Sequence, residues 1–332
     1  MKTPLLIFLT SAAVLKGPPL KEAVVSPPGR NMVTITVQGD KRIIESNGIP
    51  DHKVATFPNR GNPNAISEQK YRLEVPANPK PLEGGATGRM MSAWGVALNG
   101  VVFDPGTAEV YNDGERSNPW KYEALVSNTE MGTTPRIKTG LGLDQNHGHV
   151  QPNGAYHYHG LPTLLIERLG GGDRKMTHVG WAADGFPVYA VYAYAKPDDS
   201  GSELRKMKSS YRLKKADRGG DGENTPTGQP DGSFGLDFEY VAGSGDLDEF
   251  GGRTGVTPEF PKGTYYYVLT EEYPFIPRKF KGAPDPSFSK QAMDPHANLG
   301  GQGGPGAKGV KKGRKGPPPG GFSGPPPEDL PR

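Results

Sequence analysis

The stretch LDQNHGHVQPNGAYHYHG, Leu143 to Gly160, holds four of the chain's seven histidines. They form two His-x-His pairs, His147 with His149 and His157 with His159, on either side of Pro152-Asn153-Gly154. In an extended strand, residues two apart project to the same face. Each pair therefore points one way, while Tyr156 and Tyr158 point the other. The length of the turn decides whether the pairs meet. A two-residue turn at Pro152-Asn153 sets His149 opposite Tyr156 and leaves the pairs on opposite faces. A three-residue loop with Gly154 left-handed, the next commonest hairpin connection, sets His149 opposite His157 and His147 opposite His159. We read the second arrangement, which gathers all four imidazoles on one face.

On such a grid, opposed Cβ atoms stand roughly 5 Å apart and same-strand neighbours roughly 7 Å. Imidazoles so placed can converge on an ion at about 2 Å. Three suffice, with water or substrate as a fourth ligand. The chain has no cysteine, so a metal here takes nitrogen and oxygen ligands, and neither a disulfide nor a thiol nucleophile is available. An all-imidazole set suits Zn(II) or Cu(II), and nearby carboxylates would also admit Mn(II) or Fe(II). Zinc with an open position implies activation of water for hydrolysis. Copper implies redox chemistry or copper carriage, and a closed site implies a structural clamp. The alternative is a histidine-rich surface hairpin whose rings bond only backbone and solvent.

Two carboxylates and one further histidine are candidates for supporting roles. Asp184, in the Asp-Gly-Phe-Pro turn, reads either as ordinary turn chemistry or as a group that orients a histidine or acts as general base for a metal-bound water. Asp144 has the same two readings and lies closer in sequence. His178, just before Trp181 on an apolar strand, reads first as a satisfied core histidine and second as part of the metal site. Tyr156 and Tyr158 are expected to pack behind the hairpin. His52 and His296 stand in polar, turn-rich contexts and receive no role.

At 332 residues the chain has room for one large domain or two ordinary ones. Only 33% of residues are hydrophobic, and glycine (48) and proline (35) together make a quarter of the chain. That composition points to a loop-rich core. A net charge of +3 is too balanced for a nucleic-acid protein, and aromatic and basic residues do not interleave as a single-strand platform requires. No nucleic-acid partner is expected. The acidic stretches GGDGENTPTGQPDG and GSGDLDEF lack the spacing of a calcium loop, and no Gly-x-Ser-x-Gly elbow marks a serine hydrolase.

Residues 1–17 read as a signal peptide. Lys2 precedes an apolar run from Pro4 to Leu15 that is too short to span a bilayer. The mature protein is then extracellular or periplasmic, with no membrane span. From Asn298 onward a Gly/Pro/Lys tail cannot bury a core. Its cluster of Lys308, Lys311, Lys312, Arg314 and Lys315 could touch an anionic surface.

Between the ends the pattern is one of short strands. MVTITVQGDKRIIES reads as a strand pair and QKYRLEVP as a strand. SAWGVALNGVVF reads as a hairpin about Asn99-Gly100. THVGWAADGFPVYAVYAY reads as strand, turn and aromatic strand, and GTYYYVLT as another strand. Two helices are expected. One runs from Asn118 to Val126 (NPWKYEALV), with Asn118 as cap and Pro119 at the first helical position; the other runs from Leu161 to Leu169. The fold class is mainly β: an antiparallel sandwich or barrel-like core with one or two short helices and long Gly/Pro-rich loops.

Three segments together resemble the YHYH domain family, named for Tyr156-His157-Tyr158-His159: HGHVQPNGAYHYHGLP, VGWAADGFPVYAVY and GDLDEFGGRTGVTPEFPKGTYYYVLTEEYPFIPR. The resemblance runs from about Asn64 to Pro286 and implies an exported or surface domain without a settled activity. It divides the chain into a signal peptide (1–17), a linker (18–30), a YHYH-type β domain (31–286) and a tail (287–332). Two positions depart from the family pattern. Phe250 stands where many relatives have a cysteine, and Tyr266 stands where relatives often have a histidine. If that histidine binds metal in the family, the site here is smaller or completed differently. The first expectation is an exported histidine-ligated metal-binding domain, with metal-dependent hydrolysis of an extracellular substrate. A copper-handling or redox protein is the second, and a non-enzymatic surface or adhesion module with structural histidines the third.

Overall fold

In a strand covered on both faces there is no polar side to alternate with, and the segment TYYYVL has none. The structure, a computed structural model that describes residues 23–87, 92–125 and 140–293, places this strand, Thr264–Leu269, inside a nine-stranded sheet. Tyr265, Tyr267 and Leu269 enter the main core beside Trp94, Phe103 and Phe186. Tyr266 and Val268 enter a second core with Met176, Tyr189, Met207 and Leu247. Burial on both faces is why the run is continuously apolar and aromatic.

From one edge the sheet runs Gly252–Gly255, Thr264–Leu269, Pro187–Tyr194, Met176–Ala182, Gly95–Ala97, Val102–Phe103, Tyr156–Tyr158 and Gly148–Val150. Leu204–Lys206 pairs with another part of Pro187–Tyr194. Two neighbouring pairs are parallel: Pro187–Tyr194 with Thr264–Leu269, and Tyr156–Tyr158 with Val102–Phe103. The sheet is mixed and open, so the barrel-like alternative is not formed. A smaller sheet of Val33–Gln38, Lys41–Ser46 and Tyr71–Pro76 supplies the opposing layer. In its last strand Tyr71, Leu73 and Val75 are buried while Arg72 is exposed. Leu73 and Val75 join Ile44 in the main core. The fold is mainly β, as its alternating segments require.

Of the two expected helices one forms. Thr163–Arg168 is helical and ends as Gly170 turns left-handed at φ 69°. The stretch from Asn118 is extended instead. Val110 bridges Lys121, and Tyr122 bridges Phe234. Trp120 and Tyr122 pack on Phe234 with ring centroids 5.5 and 4.6 Å away. A distant aromatic partner outweighs a well-formed cap, since local propensity is a weak prior against tertiary packing. At the other end packing continues past Pro286, for Phe288 is fully buried in the main core. No helix among the described residues is long and apolar enough to cross a membrane. The signal-peptide segment, Val126, His296 and the basic tail lie outside the described residues.

Candidate metal centre

The hairpin closes through three residues. Gln151 donates its backbone N–H to Ala155 (2.9 Å), Gly154 donates to Gln151 (2.8 Å), and Gly154 has φ 87°. A Cβ on Gly154 would lie 1.9 Å from Ser67 Oγ, so neither the dihedral nor the space admits a side chain. The register that follows pairs His149 with His157 and Gly148 with Tyr158. One strand of the hairpin then docks in parallel on the large sheet, with His157 beside Val102.

Three of the four expected histidines meet. His159 Nε2 lies 3.0 Å from His157 Nε2 and 3.0 Å from His149 Nε2. One ligand atom from each ring falls within 4.8 Å of the others, so the group could hold a metal ion. A tetrahedral ion with bonds of about 2.0–2.1 Å spaces its ligand atoms roughly 3.3 Å apart. The two 3.0 Å separations would need only a slight opening.

The hydrogen bonds at the far side of the rings fix their orientation. His149 Nδ1 faces the Leu141 carbonyl at 2.8 Å and His157 Nδ1 the Ala155 carbonyl at 3.2 Å. A carbonyl only accepts, so each Nδ1 carries the hydrogen and each ring turns its Nε2 toward His159. His159 Nδ1 is buried without a well-formed hydrogen bond, and the Asp104 backbone polarises its ring only weakly. A hydrogen on His159 Nε2 would leave that Nδ1 bare. A hydrogen on Nδ1 would leave three lone pairs converging, which a cation relieves. Metal-bound histidines commonly hold their other ring N–H against a carbonyl in this way.

At His157 and His159 protonation does not compete near neutrality. Burial holds His157 down at about 4. His159 lies well below its ordinary value through burial, reinforced by the neighbouring His149 and His157. Ligation needs neutral imidazole, and the fold supplies it.

Behind the ligands stand the two tyrosines, both fully buried as expected. Tyr156 donates its phenol hydrogen to Asp144 Oδ2 at 2.7 Å. Asp144 Oδ1 accepts the backbone N–H groups of Asn146 (2.8 Å) and Gly148 (3.1 Å). Asp144 thus holds the loop and the hairpin through Tyr156 and bonds no ligand ring among these contacts. Gly148 permits this, because a Cβ there would sit 2.4 Å from the Tyr156 hydroxyl. The Tyr158 hydroxyl lies 2.6 Å from His52 Nε2 and 2.9 Å from Asn99 Nδ2. Nothing in the Pro50-Asp51-His52 turn marks His52 for this contact, which only the fold creates.

The remaining candidates lie elsewhere. The sequence reading of His147 as a fourth ligand is corrected. His147 precedes the strand, in a turn where its N–H bonds Asp144 O at 3.0 Å and its own φ is 53°. That dihedral breaks the alternation, and its Nδ1 goes to the Leu161 carbonyl at 2.8 Å. His178 is half-buried on its strand and satisfied there. Its Nε2 meets Gly180 O at 2.8 Å, its ring packs on Trp181 at 4.6 Å, and burial lowers it to about 4. Asp184 accepts Tyr267 Oη–H at 2.6 Å and Gly282 N–H at 2.8 Å through Oδ2, and Phe186 N–H at 3.3 Å through Oδ1. These are the bonds of a buried turn, and Asp184 is not part of the histidine group. Tyr266 belongs to the second core, where Arg253 Nε donates to its hydroxyl at 2.7 Å. Its strand is five places along the sheet from Tyr156–Tyr158, roughly 24 Å at 4.8 Å per strand. A histidine at that position would not complete this group.

One aspartate passed over in the sequence lies beside the hairpin, its carboxylate accepting from Gln151 Nε2 at 3.1 Å. Asp104 follows the strand paired with Tyr156–Tyr158 and donates its N–H to Tyr158 O at 2.9 Å. Burial raises its carboxyl to about 6. Asp104, Arg278, Trp94 and Phe280 line a cavity of about 180 Å³, and the Arg278 charge is felt at His159. The family model described as YHYH protein matches residues 72–282. No curated protein and no solved structure matches the chain.

Proposed function

The chain belongs to the YHYH family, and from that premise we propose that it is an exported protein binding one divalent transition metal through His149, His157 and His159. The observation that carries the reading is the convergence of three Nε2 atoms, two of them on rings whose Nδ1 faces a carbonyl. A zinc ion with an open fourth position would supply Lewis acidity for hydrolysis of an extracellular substrate. His157 and His159 are buried while His149 is only half-buried, so exchange with a ligand takes place on the His149 side. The group contains no carboxylate, a donor set that also suits Cu(II), and copper handling is the second reading.

Metal analysis of protein prepared without a histidine tag tests this. About one equivalent of zinc per chain supports the first reading, and less than about 0.2 equivalents overturns both. A Cu(II) resonance that survives dialysis favours the second. Tightly held zinc without exchangeable water makes the ion a clamp for the hairpin.

A further inference from the structure

We propose that Tyr156 and Tyr158 are the positioning residues of the histidine site, and that His52 is the partner that sets Tyr158; this deepens the metal reading above and rests on it. Tyr158 lies between two proposed ligands in sequence, so any rotation of its strand moves His157 and His159 together. Its hydroxyl has one fixed orientation. Val101 N–H donates to Asn99 Oδ1 at 3.2 Å, which leaves Asn99 Nδ2 to donate to Tyr158 Oη at 2.9 Å and to Asp51 at 2.9 Å. The phenol oxygen therefore accepts from Asn99, and its hydrogen goes to His52 Nε2 at 2.6 Å. His52 Nδ1 in turn donates to the Lys53 carbonyl at 2.9 Å. Each donor in the chain has its acceptor.

Tyr156 constrains a different movement. Its bond to Asp144 Oδ2 (2.7 Å) ties the strand bearing His157 to the loop that starts the strand bearing His149, because Asp144 Oδ1 holds Gly148 N–H. The Asp144 lock sets one strand of the hairpin against the other. The His52 lock sets the whole hairpin against the sheet. Together they account for the alternation of the motif, with histidines facing the ion and tyrosines facing the anchors. Loss of such outer partners typically costs 10–100-fold in metal affinity.

The test is the zinc affinity of the full chain, by competition with a chromophoric chelator, for wild type, Tyr156→Phe, Tyr158→Phe, His52→Phe and His52→Gln. The three phenylalanine variants keep an aromatic ring; Tyr156→Phe loses the bond to Asp144, Tyr158→Phe those to His52 and Asn99, and His52→Phe those to Tyr158 and the Lys53 carbonyl. Each is expected to bind roughly 10–100-fold more weakly. His52→Gln, whose amide oxygen can accept the phenol hydrogen, should recover most of the affinity. A purely structural role would lower the melting temperature of the metal-free protein and leave the affinity of the folded fraction unchanged. Wild-type protein that takes up no zinc overturns the metal reading and this assignment with it. Wild-type binding with unchanged affinity in the phenylalanine variants overturns the assignment alone. Loss of folding in both Tyr158→Phe and His52→Phe also overturns it, since the contacts then serve the fold.

Discussion

His149 and His157 stand directly opposite one another across the hairpin, ring centroids 4.6 Å apart and planes at 69°. Each turns Nδ1 to a carbonyl and Nε2 to the same point beside His159. That arrangement ranks the histidines. His159, within 3.0 Å of both others, is the one the group cannot lose. His159→Asn should weaken metal binding by more than the roughly 10–100-fold that loss of an outer partner costs. His147→Asn keeps a residue type that tolerates positive φ and should leave affinity nearly unchanged. Isothermal titration of both variants checks the ranking, and a comparable loss in each would restore His147 as a ligand.

Metal removal should be visible in stability. An ion that binds only the folded protein adds about 2.7 kcal/mol at a hundredfold excess over Kd. In a domain of this size that is roughly 5–10 °C in Tm. Scanning calorimetry before and after chelation, then after zinc is restored, measures it. A chelated sample that melts where the loaded one does sinks the idea.

Gly148→Ala places a methyl group 2.4 Å from the Tyr156 hydroxyl and 3.0 Å from the His157 carbonyl. Overpacking of this kind costs about 1–3 kcal/mol. Urea unfolding should show that loss, and a smaller one in a Tyr156→Leu background, where the crowded hydroxyl and the ring carbon Cζ 2.5 Å away are both gone. Equal losses in the two backgrounds would show that the clash lies elsewhere.

Asp184 and the histidines should be separable. Asp184 Oδ2 takes two donors at 2.6 and 2.8 Å inside the core, and an asparagine nitrogen at that place would meet them donor to donor. Asp184→Asn should cost about 1–3 kcal/mol of folding stability without changing metal affinity. A drop in affinity with stability intact would bring the carboxylate back into the site.

Acid should weaken the fold by a route that includes a histidine remote from the metal. Burial holds His178 and His157 at about 4 in the folded protein, against an ordinary 6.5. As pH falls, the unfolded chain takes up these protons first, so their contribution is whole above about 6.5 and drains away on the way down through about 4. Each shift corresponds to something on the order of 3 kcal/mol. Metal-free protein followed by urea titration across that window should lose stability steeply. His178→Phe should flatten the loss, and an unaltered slope in that variant would remove His178 from the account.

Much of this was legible in the sequence where neighbours in the chain decide the outcome. Gly154 after Pro152-Asn153 set the three-residue loop, and with it the opposition of His149 and His157. The β-rich run GTYYYVLT announced a strand, though its burial on both faces came only with the fold. Where a local dihedral intervened, the alternation misled. His147 counts as a partner of His149 only if the strand reaches it, and the bonds of Asp144 to Asn146 and Gly148 turn the chain just before. Where distant residues intervened, nothing local could have told. Asn118-Pro119 is a sound helix start, undone by Phe234, and His52 finds Tyr158 across a separation of 106 residues.

That last separation bears on when the site comes into being. The hairpin can close early by itself, but its seat on Val102 and its tie to His52 require long stretches of chain to be gathered in. Contacts of this span make for slow folding, because loop entropy is lost before the pairing is gained. The imidazoles then reach their final spacing near the end of folding. An ion would be captured by a nearly finished protein and would mark the last stage of its assembly.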